Sequence, residues 1–198
     1  MISLGKSLTY GELGALSTTA RHAIVEKLGA ATPAEWDHGM EWYSNAHARA
    51  QALHDDVQKG AEVIAVLSPQ TQWPVNLRDA EKIISGDENV SAFKKNVVKA
   101  WRILEGETLD EVTQKGPKTK AFACNIQYPN GYCPHRNWCV TIDTHMMAIF
   151  ELHISVIDRK GAYEALANGV RRAAYEFGIL PHQAQAIAWL AQKERNRG

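Results

Sequence analysis

Apolar residues return at steps of three and four along most of this chain, which confines it to packed helices. Trp36, Met40, Tyr43, His47, Ala50, Leu53 and Val57 mark one face of a long amphipathic helix, introduced by Thr32-Pro33 and closed by Gly60. "AEVIAVLSPQ" predicts a short, almost wholly apolar helix ending near Pro69. In "PVNLRDAEKIISG", Pro74 suits a first turn and Gly86 a stop; in "NVSAFKKNVVKAWRILEG", Phe93, Val97, Trp101 and Leu104 share a face before Gly106. After a short piece at "LDEV", "KGPKTKAFACNI" reads as a Gly-Pro turn opening a helix, and "QYPNGYCPHRNW" as a loop. Two further helices follow, "GAYEALANGVRRAAYEFG" and, after Leu180-Pro181, "HQAQAIAWLAQKERNR". The expected fold is all-α with roughly eight to ten helices and no internal repeat. Trp36, Trp42, Trp101 and Trp189 fit core positions.

With 198 residues and zero formal net charge, no whole-molecule field draws the chain to nucleic acid or membrane, so any such affinity must be local. No stretch approaches the ~18 apolar residues of a membrane span, and the opening "MISLGKSLTYGEL" lacks the apolar run of a signal peptide. Three cysteines are too few for a disulfide scaffold, so a cytoplasmic setting is expected, without membrane and with the chain as a monomer.

Three segments carry polar groups placed for chemistry. In "CVTIDTHMMAIFEL", a β-favouring run (Val140, Thr141, Ile142) delivers Asp143, Thr144 and His145 to the head of a buried apolar helix. Asp143 there is suited both to cap the helix and to act as a catalytic acid. Lys115, Lys118 and Lys120 crowd the Gly116-Pro117 turn, which reads either as a phosphate grip or as a solvated lysine turn. Lys94, Lys95, Lys99 and Arg102 gather on one helix. Lastly, an apolar helix ends in Ser68, Pro69, Gln70, Thr71, Gln72 and Trp73, side chains suited to entering a base stack when a nucleotide is extruded.

The order of these segments resembles the helix-hairpin-helix DNA glycosylase superfamily, which includes endonuclease III. That family has an L-S-x-Q-T-like helix end, a hairpin of the form L-P-G-V-G-x-K-T-A and a V-D-T-H segment, matched here by 67–72, 113–121 and 142–145. The resemblance covers about residues 60 to 152. It implies a two-lobed helical bundle, with one lobe from 1–59 plus 153–198 and the other from 60–152, and a DNA partner. It implies base excision by base flipping of a damaged or modified base, with Asp143 catalytic, Gln70 the wedge, and Thr71, Gln72, Gly116, Lys115 and Lys120 on DNA. Lys118 matches the lysine that forms a Schiff base in bifunctional members; Lys120 is the alternative if the hairpin has slipped by two. Only one of the two hairpin glycines is kept. Nothing after Cys139 is cysteine, so no iron–sulfur cluster is expected and no cofactor is required.

The loop before Asp143 holds Tyr128, Tyr132, His135, Arg136 and Trp138, a set suited to stacking on a base or reaching a phosphate; Arg136 is a candidate DNA contact, and Tyr132, Trp138 and His145 are candidates for base recognition. Cys124, Cys133, His135 and Cys139 could together hold zinc; the alternative is buried, unliganded cysteines. Two rival functions remain open: a phage-type enzyme of thymine hypermodification on the same fold, and a non-catalytic DNA-binding module in which Asp143 only caps.

Overall fold

Three helices open with the same local device. A threonine accepts a hydrogen bond from the backbone N–H three residues on, and the glutamate at that position returns one to the threonine N–H. Thr9 and Glu12 start α1 (Tyr10–Ala30), Thr32 and Glu35 start α2 (Pro33–Leu53), and Thr108 and Glu111 start α6 (Leu109–Thr113). Between and beyond these run α3 (Val57–Leu67), α4 (Trp73–Ile84), α5 (Lys94–Leu104), α7 (Pro117–Gln127), α8 (Thr144–Ile149), a 3₁₀ turn (Ile154–Asp158), α9 (Ala162–Phe177) and α10 (Pro181–Arg195). This computed structural model describes residues 7–113, 116–131, 133 and 139–195, and it is all-α, with no strand among those residues. No helix among them is long and apolar enough to cross a membrane.

The chain divides into two compact units, residues 1–42 with 134–198, and residues 43–133. The sequence reading puts the divisions at 59/60 and 152/153 instead. The first division falls inside α2 (Pro33–Leu53), and the segment 140–150 contributes to the same core as α9 and α10, which moves the second.

In the first unit α1, α9 and α10 pack around Ile24, Leu28, Ile142, Met146, Leu166 and Ile187, all essentially inaccessible to solvent. The buried face of α9 is built mainly from Ala162, Ala165, Ala167, Gly169, Ala173 and Ala174. Such small side chains let helices approach closely. A Cβ at Gly169 would stand 2.3 Å from the Ser17 carbonyl oxygen and 2.7 Å from the Ala20 Cβ, so α1 lies directly on the α9 backbone.

In the second unit α3 is the central element: every residue from Gly60 to Leu67 is buried, with α4, α5 and α7 against it. Asp56 caps it, accepting from the N–H groups of Gln58 (2.9 Å) and Lys59 (3.4 Å). Gly60 therefore does not close the preceding helix. That helix ends at Leu53, and Gly60 is where α3 crosses α2: a Cβ there would stand only 2.5 Å from the Ala50 carbonyl oxygen. The apolar stripe expected on α5 is also rotated. Asn96, Ala100 and Ile103 are buried while Phe93 is exposed, a shift of one residue and so about 100° around the helix. The buried Asp79 carboxylate accepts from the N–H groups of Ser91 (3.0 Å) and Ala92 (2.9 Å), which fixes how the chain enters α5. Trp36, Trp42, Trp101 and Trp189, expected in the core, are each half-buried. The patterning passes over α1 altogether.

Two stability predictions follow from this packing. Gly169→Ala should cost about 1–3 kcal/mol, read in a thermal or urea melt, because the new methyl has to force α1 off α9. Glu62, buried on α3, has its carboxyl pushed above its ordinary value of 4.5 by desolvation; the hydrogen bond from Gln58 opposes this, and Asp56 and Asp110 add to it. The native chain thus binds this proton more tightly than the unfolded chain. The stability contributed is complete below pH 4.5 and is lost as pH rises through the raised native value. Glu62→Gln should raise the melting temperature by about 2–4 °C at pH 8 and by less at pH 4.5.

Candidate functional site

Residues 139–143 enter the first unit's core without regular structure, so their backbone polar groups need partners from elsewhere. Side chains of two helices supply them. The Tyr163 hydroxyl on α9 accepts from the Ile142 N–H (3.1 Å) and donates to the Val140 carbonyl (2.9 Å). The Gln185 carboxamide oxygen on α10 accepts from the Thr141 N–H (3.1 Å). The expected β-favouring run is therefore buried but belongs to no strand, and two side chains hold three of its backbone groups.

This clip delivers Asp143 to the head of α8. Asp143 is extended (φ −120°, ψ −172°) and half-buried, and its Oδ1 accepts from the Met146 N–H at 2.9 Å. Its Oδ2 makes no hydrogen bond among the described residues. Thr144 and His145 are exposed, while Met146 and Met147 are buried. The His145 ring stands edge-on to Trp189 of α10, with centroids 6.2 Å apart; Trp42 meets the same indole at 6.5 Å.

The other candidates belong to the second unit. After α3, Ser68 Oγ donates to the Ala65 carbonyl (2.9 Å) and Thr71 Oγ1 to the Leu67 carbonyl (3.1 Å). Between them the exposed Gln70 takes a left-handed backbone, φ 59°, a conformation that costs a non-glycine residue roughly 1–3 kcal/mol. Gln72, also exposed, is the N-cap of α4 and makes no side-chain cap bond. Trp73 meets Phe122 of α7 edge-on at 6.5 Å. Lys118 lies one turn before Phe122 on that helix, half-buried and without an ion pair among the described residues. The contact between α4 and α7 is thus made by Trp73, three residues after Gln70, and Phe122, four residues after Lys118.

Gly116 is the N-cap of α7 at φ −94°, and a Cβ there would make only an ordinary 3.4 Å contact with Thr113. Neither its conformation nor the space around it requires a glycine. Lys120 is ion-paired with Asp110 at 2.5 Å, which leaves Lys118 the better placed of the two as a nucleophile. Of the clustered bases on α5, Arg102 is ion-paired with Glu107.

The sulfurs of Cys124 and Cys133 meet in the second unit, a proximity that the zinc reading requires and that a disulfide would also bring about. Cys139 is buried in the first unit, and His135 lies outside the described residues, as do Lys115, Tyr132, Arg136 and Trp138. Tyr163, Gln185, Trp42 and Trp189 are the site-adjacent residues that sequence reasoning missed. The one available signal is the four-residue spacing of Gln185 and Trp189 in the closing helix, which places both on a single face.

Tyr163→Phe removes the two hydrogen bonds that the Tyr163 hydroxyl contributes to the clip and leaves the ring in place. Hydrogen exchange at the Ile142 and Met146 amides should accelerate about tenfold or more, with the amides of Ile24 and Leu28 in α1 unchanged, as read by NMR.

No curated protein and no solved structure matches the chain. A family model does, across residues 9–196, and the chain therefore belongs to that family, a family of unknown function (DUF7178).

Proposed function

We propose that this protein is a DNA glycosylase of the helix-hairpin-helix type, which flips a damaged or modified base out of DNA and hydrolyses its N-glycosidic bond. The observation that carries the reading is the division of labour on Asp143. One carboxylate oxygen is fixed by the Met146 N–H, so the side chain is held in place, and the other is left for chemistry. Water adds its oxygen to C1′ as the bond from C1′ to the base nitrogen breaks. The bonding pair leaves with the base, Asp143 accepts the proton released by the water, and that proton passes through solvent to the departing base, which regenerates the carboxylate. As the bond breaks the sugar acquires oxocarbenium character, and the carboxylate stabilises that positive charge.

The turn at Gln70 supports the same reading. An exposed amide side chain on a left-handed residue, pinned on both sides by hydroxyl-to-carbonyl bonds, is held out from the surface as a wedge needs to be. Gly116 gives backbone access to a phosphate at the head of α7, and Lys118 is the candidate for a Schiff base if strand cleavage accompanies base removal.

The test is a screen of the purified protein against duplex and single-stranded DNA carrying normal, damaged and phage-type modified bases, with abasic sites revealed by alkali. One base should be released, and Asp143→Asn, which keeps the capping oxygen, should lose at least about 100-fold in rate with DNA affinity within a few-fold. Borohydride trapping that disappears in Lys118→Ala would identify bifunctional chemistry. Release of no base, with DNA binding intact, would overturn the glycosylase reading and leave base modification or DNA binding alone.

A further inference from the structure

α10 carries Gln185, Trp189 and Lys193 at successive steps of four, so all three lie on one face of the helix, about 6 Å apart along its axis. That face runs beside the segment that presents Asp143. Gln185 holds the Thr141 N–H, two residues before the carboxylate, and Trp189 meets the His145 ring, two residues after it. The third member, the exposed Lys193, places its ammonium 4.8 Å from the centre of the Trp189 ring. Trp42, at 6.5 Å and 73°, stands edge-on to the same indole.

One half-buried indole is thus ringed by a second indole, an exposed imidazole and an exposed ammonium. A tryptophan placed only to fill a core has no need of this company. A flat π surface beside mobile cationic and titratable groups is the combination that single-stranded nucleic acid is held by: the base stacks on the ring and the phosphate next to it takes the cation. In the absence of such a ligand, the Lys193 ammonium rests against the ring through a cation–π contact, which a stacking base would replace while the ammonium moves to phosphate.

We propose that Trp189, Lys193 and His145, with Trp42 behind them, form a contact for a locally unpaired DNA strand beside Asp143, Trp189 stacking on a base and Lys193 binding the adjacent phosphate. The partner deepens the glycosylase reading and rests on it for its meaning, but DNA binding alone tests it.

The experiment measures the affinity of the full-length protein for a short fluorescent single-stranded oligonucleotide, by anisotropy over a range of salt concentrations. Trp189→Leu should weaken binding roughly 10-fold or more, and Trp189→Phe, which keeps a stacking surface, should recover most of it. Lys193→Gln, at an exposed position where folding is not at stake, should reduce the slope of log affinity against log salt by about 0.7. Melting temperatures of all three variants are measured alongside. The proposal is overturned if the wild-type protein binds no DNA, if a folded Trp189→Leu binds as wild type does, or if the salt slope is unchanged in Lys193→Gln. Base release with Trp189-independent binding would sink this contact and leave the glycosylase reading standing. Trp189-dependent binding without release of any base would do the reverse.

Discussion

Close approach of helix backbones is the constraint on which both units depend. At Gly169 α1 rests on α9, at Gly39 a Cβ would stand 2.3 Å from an Ile187 side-chain atom of α10, and at Gly60 α3 crosses α2 against Ala50. None of the three needs an unusual backbone conformation; each is glycine because a side chain has nowhere to go. Such contacts set the distance between helix axes, and that distance decides which side chains of a neighbouring helix can reach across. In the first unit the alanine-rich faces of α9 and α10 hold those helices near enough for Tyr163 and Gln185 to meet the backbone of residues 140–142. A bulkier packing face would move both helices out and leave three buried peptide groups unsatisfied, at a cost of roughly 1–3 kcal/mol each.

That dependence explains why residues 139–143 need no sheet. Valine, threonine and isoleucine favour extended backbone, and an extended segment buried alone would be expensive. Here a hydroxyl that accepts from one peptide group while donating to another, together with one carboxamide oxygen, meets the demand. The segment is held by these contacts and has no neighbours in a ladder to be registered against. Its end, Asp143, is located by α9 and α10 as much as by its own helix.

The helical character of the chain was legible from spacing alone, because a 3.6-residue period leaves a trace in any amphipathic helix. Proline and glycine marked α4, α7 and α9 well for the same local reasons: a fixed φ at the start, and a left-handed residue at the end, as at Gly178. Tertiary contact decided what was misread. Gly60 looks like a stop until the Ala50 carbonyl is seen lying against it. The buried stripe of α5 turns by one residue because Asp79 dictates how the chain enters that helix, a contact that residue spacing cannot show. α1 was readable by another route, since Thr-x-x-Glu at 9–12 announces a capping box, repeated at 32–35 and 108–111. The candidate residues divide in the same way: Asp143, Gln70 and Lys118 stand in contiguous motifs, whereas Tyr163, Gln185 and Trp189 become neighbours of the Asp143 segment only through packing.

Capping and catalysis make compatible demands on Asp143 because a carboxylate has two oxygens pointing in different directions. A helix start needs one acceptor at about 2.9 Å from an N–H, which Oδ1 supplies, and it uses no net charge to do so. Stabilising a cationic sugar needs charge and a second acceptor, and it tolerates little wandering of the group that provides them. The cap supplies that immobility, with the Tyr163 and Gln185 contacts fixing the backbone one and two residues earlier. An asparagine would keep the geometry and lose the charge, while an alanine would lose both; the two substitutions therefore separate what the fold requires of this residue from what chemistry would.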